Sequence, residues 1–173
     1  MKHIPVHIGS YLLMLLAWCI ILNACNSTKK IAKVVPRQSK ALVGSSERGW
    51  LHYEVFLLPV DSGINKKNDV VKLSVRIANK HDNTSPLRKL CNNLDEYNTL
   101  YEYLLNSAKN EIYLQTSGAI TYPVSYSFEN NYNAFPFETI NVGYHIRPKK
   151  KAMQLVYVDR VFARDTLIIP LNL

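Results

Sequence analysis

Val71-Lys72-Leu73-Ser74-Val75-Arg76-Ile77 alternates apolar and polar side chains without a break. A strand turns successive side chains to opposite faces. A strict period of two therefore marks a strand with one face in a core and the other in water. The run before it, Trp50 to Val60, is rich in aromatic and β-branched residues and stops at Asp61-Ser62-Gly63. With the polar stretch Ile64 to Asp69 between them, the two runs predict a hairpin or a pair of neighbouring strands.

Toward the C-terminus, Asn79 to Arg88 reads as a polar loop. Asn92 or Asn93 then caps a helix whose first turn holds Asp95 and Glu96, as the helix dipole favours. Leu94, Tyr97, Tyr101, Leu104, Leu105 and Ala108 recur at three- and four-residue steps, which predicts an amphipathic helix ending near Ser107. Strands resume over Glu111–Thr116, Ile120–Phe128, Thr139–Ile146, Ala152–Asp159 and Thr166–Leu173. Pro123 and Pro170 favour an edge or a bulge, because proline donates no ladder hydrogen bond. Arg147-Pro148-Lys149-Lys150-Lys151 makes a turn with a basic tip. About seven strands, one inserted helix and no β–α alternation predict a mainly β fold. The expected form is an antiparallel β-sandwich resembling the immunoglobulin architecture, with a barrel as the alternative. The disulfide and core tryptophan of antibody domains are not evident, so the label concerns architecture alone.

Toward the N-terminus, residues 26–48 are polar and basic. Pro36, Gly44, Ser45 and Ser46 break any helix, which predicts a flexible tether with the folded domain over 49–173. Before the tether lies an almost unbroken apolar run, Ile8 to Leu22, preceded by Lys2. At about 15 residues it is shorter than the ~20 that span a bilayer comfortably, and it has the three-part layout of a secretory signal. Leu22-Asn23-Ala24-Cys25 at its end resembles a lipobox, the cleavage and lipidation site of bacterial lipoproteins: Leu three residues before the cysteine and a small residue just before it. Asn23 is a less usual middle residue. The resemblance implies a signal peptide over 1–24, cleavage between Ala24 and Cys25, and diacylglyceryl and N-acyl chains on Cys25. Several chains on one residue anchor firmly, where one alone is marginal. It also implies a place. Asn26-Ser27 after the cysteine is not the aspartate of inner-membrane retention, which favours an outer-membrane anchor facing the periplasm.

Charge supports the same division. Lys29, Lys30, Lys33, Arg37 and Lys40 all lie in the tether, with no acidic residue from Cys25 to Ser46. Without these five and Lys2, the formal net charge of +8 falls to +2 for residues 47–173. A nucleic-acid partner needs a basic face on the domain itself, so none is expected. A basic tether fits anionic head groups, at roughly 1 kcal/mol per cation. With Cys25 lipidated and Cys19 removed with the leader, Cys91 has no disulfide partner.

The domain offers little catalytic chemistry to sequence reasoning. His52, His81 and His145 lack metal-ligand spacing, and there is no phosphate loop or nucleophile turn. Cys91 beside Leu90 and Leu94 reads as a buried thiol. Asp159 and Asp165, flanking Arg160 and Arg164, read as local ion pairs. Asp165-Thr166-Leu167 resembles a short bacterial O-glycosylation motif, a weak pattern set in a strand. The distinctive stretch is Tyr122 to Tyr144, with Tyr126, Phe128, Tyr132, Phe135 and Phe137 around Glu129-Asn130-Asn131. Tyr132, Phe135 and Phe137 fall in an expected loop, which makes them the candidate partner or ligand contacts.

Neither an enzyme nor a cofactor or metal is therefore expected. The expected role is a structural or interaction lipoprotein of a cell-envelope assembly, joined to the membrane lipid through Cys25 and to protein partners in the envelope. Its layout is similar to the small β-sandwich lipoproteins of envelope-spanning, type VI-like secretion machines, although no residue of the body matches them. The alternative is an outer-membrane lipoprotein that binds sugar or peptide through the aromatic loop.

Overall fold

The computed structural model of the protein describes residues 40–59, 70–132, 134–146 and 152–173. Ala24, Cys25, the leader and the tether up to residue 39 lie outside the described residues, as do the 64–69 loop and the basic turn at 147–151. The described chain is mainly β. Its strands are β1 (Ala41–Arg48), β2 (Leu51–Leu58), β3 (Val70–Asn79), β4 (Ile112–Thr116), β5 (Ala119–Thr121), β6 (Ser125–Glu129), β7 (Phe137–His145), β8 (Met153–Asp159) and β9 (Asp165–Leu171). Between β3 and β4 lie helices α1 (Pro86–Leu90) and α2 (Leu94–Asn106) and a 3-10 turn, Ala108–Asn110. Two antiparallel sheets result, in the orders β1-β2-β3-β7-β6 and β5-β4-β8-β9.

The alternating run becomes β3, the centre of the first sheet. Val71, Leu73, Val75 and Ile77 are buried, while Lys72 and Arg76 point away from the core. Tyr53 and Val55 on β2 and Ile140, Val142 and Tyr144 on β7 extend the same inner face. Ile112, Leu114, Leu155, Tyr157, Leu167 and Ile169 supply the facing layer from the second sheet. Burying each such aliphatic side chain contributes roughly 1.5–3 kcal/mol, so this shared layer is what holds the sheets together.

Four expectations are corrected. Ala41–Arg48, assigned to the tether, is an edge strand. It pairs with β2 from Ala41 opposite Leu57 to Arg48 opposite Leu51, with a bulge between Leu42 and Gly44. Among its side chains Val43 is the buried one, so no apolar period announced the strand. At the bulge β1 meets β9: the Asn172 N–H donates to the Val43 carbonyl at 2.9 Å. A Cβ on Gly44 would lie 2.7 Å from the Pro170 carbonyl oxygen, so glycine permits the approach.

The second correction concerns Ile120–Phe128, which is two strands in different sheets. Pro123 sits at the crossing, where the ladder lacks a donor. Third, the 79–88 loop ends in a helix. Ser85 accepts from the Arg88 N–H and Pro86 occupies the first turn, a start signal present in the sequence. Last, Asp159 is not a surface ion pair. It is 1% exposed and accepts N–H groups of Val161, Phe162 and Ala163 at 2.8–3.0 Å, together with the Tyr53 hydroxyl at 2.5 Å. One carboxylate thus closes the β8–β9 turn and ties it to β2. Asp165 pairs with Arg48 at 3.1 Å, and Arg160 with Glu111 at 2.5 Å.

Candidate functional site: an aromatic cleft and a cation–aromatic face

Helix α2 begins where expected. The Asn93 side chain accepts the Glu96 N–H at 2.9 Å, and Asp95 and Glu96 occupy the first turn. Leu104, and Ala108 just beyond the helix, are fully buried, and Tyr97, Leu100 and Tyr101 pack against the core beside them. The first turn overhangs: Leu94 is 69% exposed although it lies on the apolar stripe. Tyr97 and Tyr101, one helical turn apart, stack with ring centroids 6.3 Å apart, and Tyr101 continues to Phe128 at 6.0 Å.

The loop between β6 and β7 is fastened to this helix through asparagines. The Asn130 amide donates to the Tyr97 hydroxyl, and its carbonyl oxygen accepts the Tyr132 N–H at 2.7 Å. This side-chain turn is the kind that asparagine forms with its own backbone. Asn131 donates to the Phe137 carbonyl at 2.5 Å. Tyr132 takes a left-handed backbone, φ 48°, and is 77% exposed. Between loop and helix lies an open cleft of about 360 Å³ lined by Arg88, Asn93, Leu94, Tyr97 and Tyr132. Its aromatic and aliphatic walls suit an apolar or sugar-ring surface. Asn93 and the Arg88 guanidinium offer polar contacts, Arg88 as a pure donor to an acidic or carbonyl group.

Deeper in this region, Glu138 on β7 points inward and is fully buried. It lies beside Ser85 and the backbone amides of Asn131 and Leu87, which favour the charged form. Burial outweighs them and pushes its carboxyl up to about 7. The loop, α1 and β7 thus converge on one acid that titrates near neutrality.

Of the three sequence candidates, Tyr132 alone lines this cleft. Phe137 is the first residue of β7, and Phe135 stacks on it at 5.4 Å. These two join a different surface, the outward face of the first sheet. There the Arg76 guanidinium lies 4.6 Å from the Phe137 ring and 5.0 Å from the Phe56 ring, with Glu54 at 3.4 Å. Such cation–aromatic stacking contributes roughly 0.5–1 kcal/mol at exposed sites. Sequence reading did not single out Arg88, Asn93, Arg76 or Phe56 as contact residues. The position of Phe56 and Arg76 on the outward parity of adjacent strands was the available signal.

The remaining candidates are dispersed. Cys91 is buried, its thiol donates to the Leu87 carbonyl at 3.1 Å, and burial raises its pKa. His52 lies against Glu47 at 3.3 Å, while His81 and His145 are exposed in a loop and at the end of β7. Among the described residues no group of three His, Cys, Asp or Glu side chains is placed to hold a metal ion. No helix among them is long and apolar enough to cross a membrane. No family model, curated protein or solved structure matches the chain.

Proposed function

We propose that this chain is a lipid-anchored cell-envelope protein, held by Cys25 in the outer membrane and facing the periplasm. Its β domain acts as a structural or interaction component of a larger assembly, such as a type VI-like secretion machine. The lipobox-like Leu22-Asn23-Ala24-Cys25 supports the anchor. One observation carries the rest. Ala41, where the tether joins the fold, lies in the cross-strand row of Leu57, Leu73 and Val142, whereas Phe137 lies in the row of Ala78 and His52. Five residues of strand, about 17 Å, separate the two rows. The loop holding Tyr132 and Phe135 therefore sits at the end of the sheet opposite Ala41, which supports a contact role for it. The immunoglobulin-like label is proposed for the two antiparallel layers and not for strand order, since β1, β2 and β3 follow one another across one sheet.

The aromatic cleft favours a second reading, capture of a sugar or short peptide. One experiment separates the two. A photo-crosslinking amino acid placed at Tyr132 of the full chain in its native membranes is expected to give a protein adduct. The same group at Leu42, next to Ala41 and 55% exposed, is expected to give none. Adducts of glycan or short peptide at 132 would transfer support to the second reading. Absence of any adduct there would sink both.

A further inference from the structure

We propose that the cleft between α1, the start of α2 and the β6–β7 loop holds the C-terminal residue of a peptide chain. Its carboxylate lies on Arg88, and its apolar side chain lies against Leu94, Tyr97 and Tyr132. The inference rests on reading this region as a contact surface and adds the chemistry of what is met there. What the polar lining can still offer decides the ligand. The Asn93 side-chain oxygen accepts the Glu96 N–H at 2.9 Å, which leaves its amide N–H groups. The Tyr97 oxygen accepts from the Asn130 amide, which leaves its O–H. Burial raises the Tyr97 phenol above its ordinary pKa, so that proton stays in place at neutral pH. Arg88 carries donors alone, and among the described residues no carboxylate pairs with its guanidinium. Asp82 is paired instead with Lys89 at 2.6 Å, and Glu96 accepts from Asn92 at 2.8 and 3.1 Å. Arg88, Asn93 and Tyr97 thus turn donors toward the cleft. An ionised carboxylate, which only accepts, is the group that uses them.

The walls are held before a ligand arrives. Asn130 fixes both tyrosines, with its amide on the Tyr97 hydroxyl and its carbonyl oxygen accepting the Tyr132 N–H at 2.7 Å. Tyr101 supports the Tyr97 ring by stacking at 6.3 Å. Walls already in position lower the ordering cost of binding. Among the sources of a carboxylate, a chain end fits best. Its side chain stands on the carbon next to the carboxylate, so one residue meets Arg88 and the tyrosines together within about 360 Å³. A uronic acid brings ring hydroxyls, donors as well as acceptors, to side chains that offer donors. A glutamate inside a chain keeps backbone on both sides. The cleft is lined from two helices and a loop, with no strand edge to pair that backbone.

Titration of the full chain in detergent, followed by NMR of labelled tyrosine rings and arginine side chains, tests this with four probes. They are an N-acetylated tripeptide ending in free-acid phenylalanine, the same tripeptide as its C-terminal amide, an amidated peptide with an internal glutamate, and galacturonic acid. The free acid is expected to bind saturably, with a Kd on the order of 1 mM, and the other three about tenfold more weakly. Arg88→Gln should remove most of the preference for acid over amide and leave the amide unchanged, a difference that isolates the carboxylate contact. Should glutamine disturb α1, Arg88→Lys keeps the charge, loses the guanidinium fork and should retain part of the preference. Tyr132→Asn suits the left-handed backbone and should weaken acid and amide alike. Acid and amide bound equally, or an Arg88→Gln variant with the whole preference intact, would overturn the carboxylate site. The contact surface itself would still stand or fall by crosslinking at Tyr132. Galacturonic acid or the internal glutamate binding as tightly as the free acid would overturn the chain end as the source. No saturable binding by any probe would overturn the proposal.

Discussion

At the level of single residues, two buried acids sit in different surroundings. Asp159 faces three backbone N–H groups and a hydroxyl, a fully supplied carboxylate that organises a turn. Glu138 is equally hidden, but the groups beside it do not offset the loss of water, and its carboxyl is pushed up to about 7. The unfolded carboxyl loses its proton near the ordinary 4.5 while the folded one keeps it, so the folded state binds more protons between those values. The stability that Glu138 contributes is complete below about 4.5 and declines as pH rises toward 7. The span is on the order of 3 kcal/mol. Glu138→Gln should flatten this decline and raise the melting temperature above pH 7, with little change at pH 4. Thermal melts across that range check it, and a variant that still loses stability in parallel with the parent would refute it.

At the scale of elements, the edge strand β1 shows what periodicity leaves out. One buried side chain and a run of glycine and serine resemble a linker. The strand is held by backbone pairing to β2 and by the close approach of Gly44 to Pro170. Gly44→Ala introduces a carbon with no room against a carbonyl oxygen and should destabilise the domain by about 1–3 kcal/mol. Amide hydrogen exchange should accelerate first over Ala41–Arg48, while the central β3 stays protected. Uniform acceleration, or none, would show that the β1–β9 closure is not a local latch. Helix α2 makes the complementary point. Its cap, acidic first turn and apolar spacing were all legible, because each is a local signal. The overhang of Leu94 that forms one wall of the cleft was not, since it depends on where the sheet beneath the helix ends.

At the level of the whole molecule, charge is unevenly divided along the chain. The positive excess belongs to residues 1–46, and residues 47–173 carry +2. If Cys25 holds the lipid, Cys25→Ser should move the chain from the membrane fraction to the soluble one. The melting temperature of the domain should not change, because the first strand among the described residues starts at Ala41. Fractionation with mass measurement of the N-terminal peptide decides this; an unmodified Cys25 in the parent chain would remove the anchor.

The mainly β class, the half-buried strand through Val71–Ile77 and the amphipathic helix with its cap were legible in the sequence. Each is written in neighbouring residues, as a period, a start signal or a short motif. Tertiary structure alone decided that Ala41–Arg48 is a strand, that Pro123 marks a crossing between sheets, and that Asp159 joins β2 to a distant turn. It also parted Tyr132 from Phe135 and Phe137, giving one to a cleft and two to a sheet face. The reason is common to all of these. Backbone pairing, burial of a carboxylate and the parting of a loop's side chains depend on residues far apart in the chain, and no local period records them.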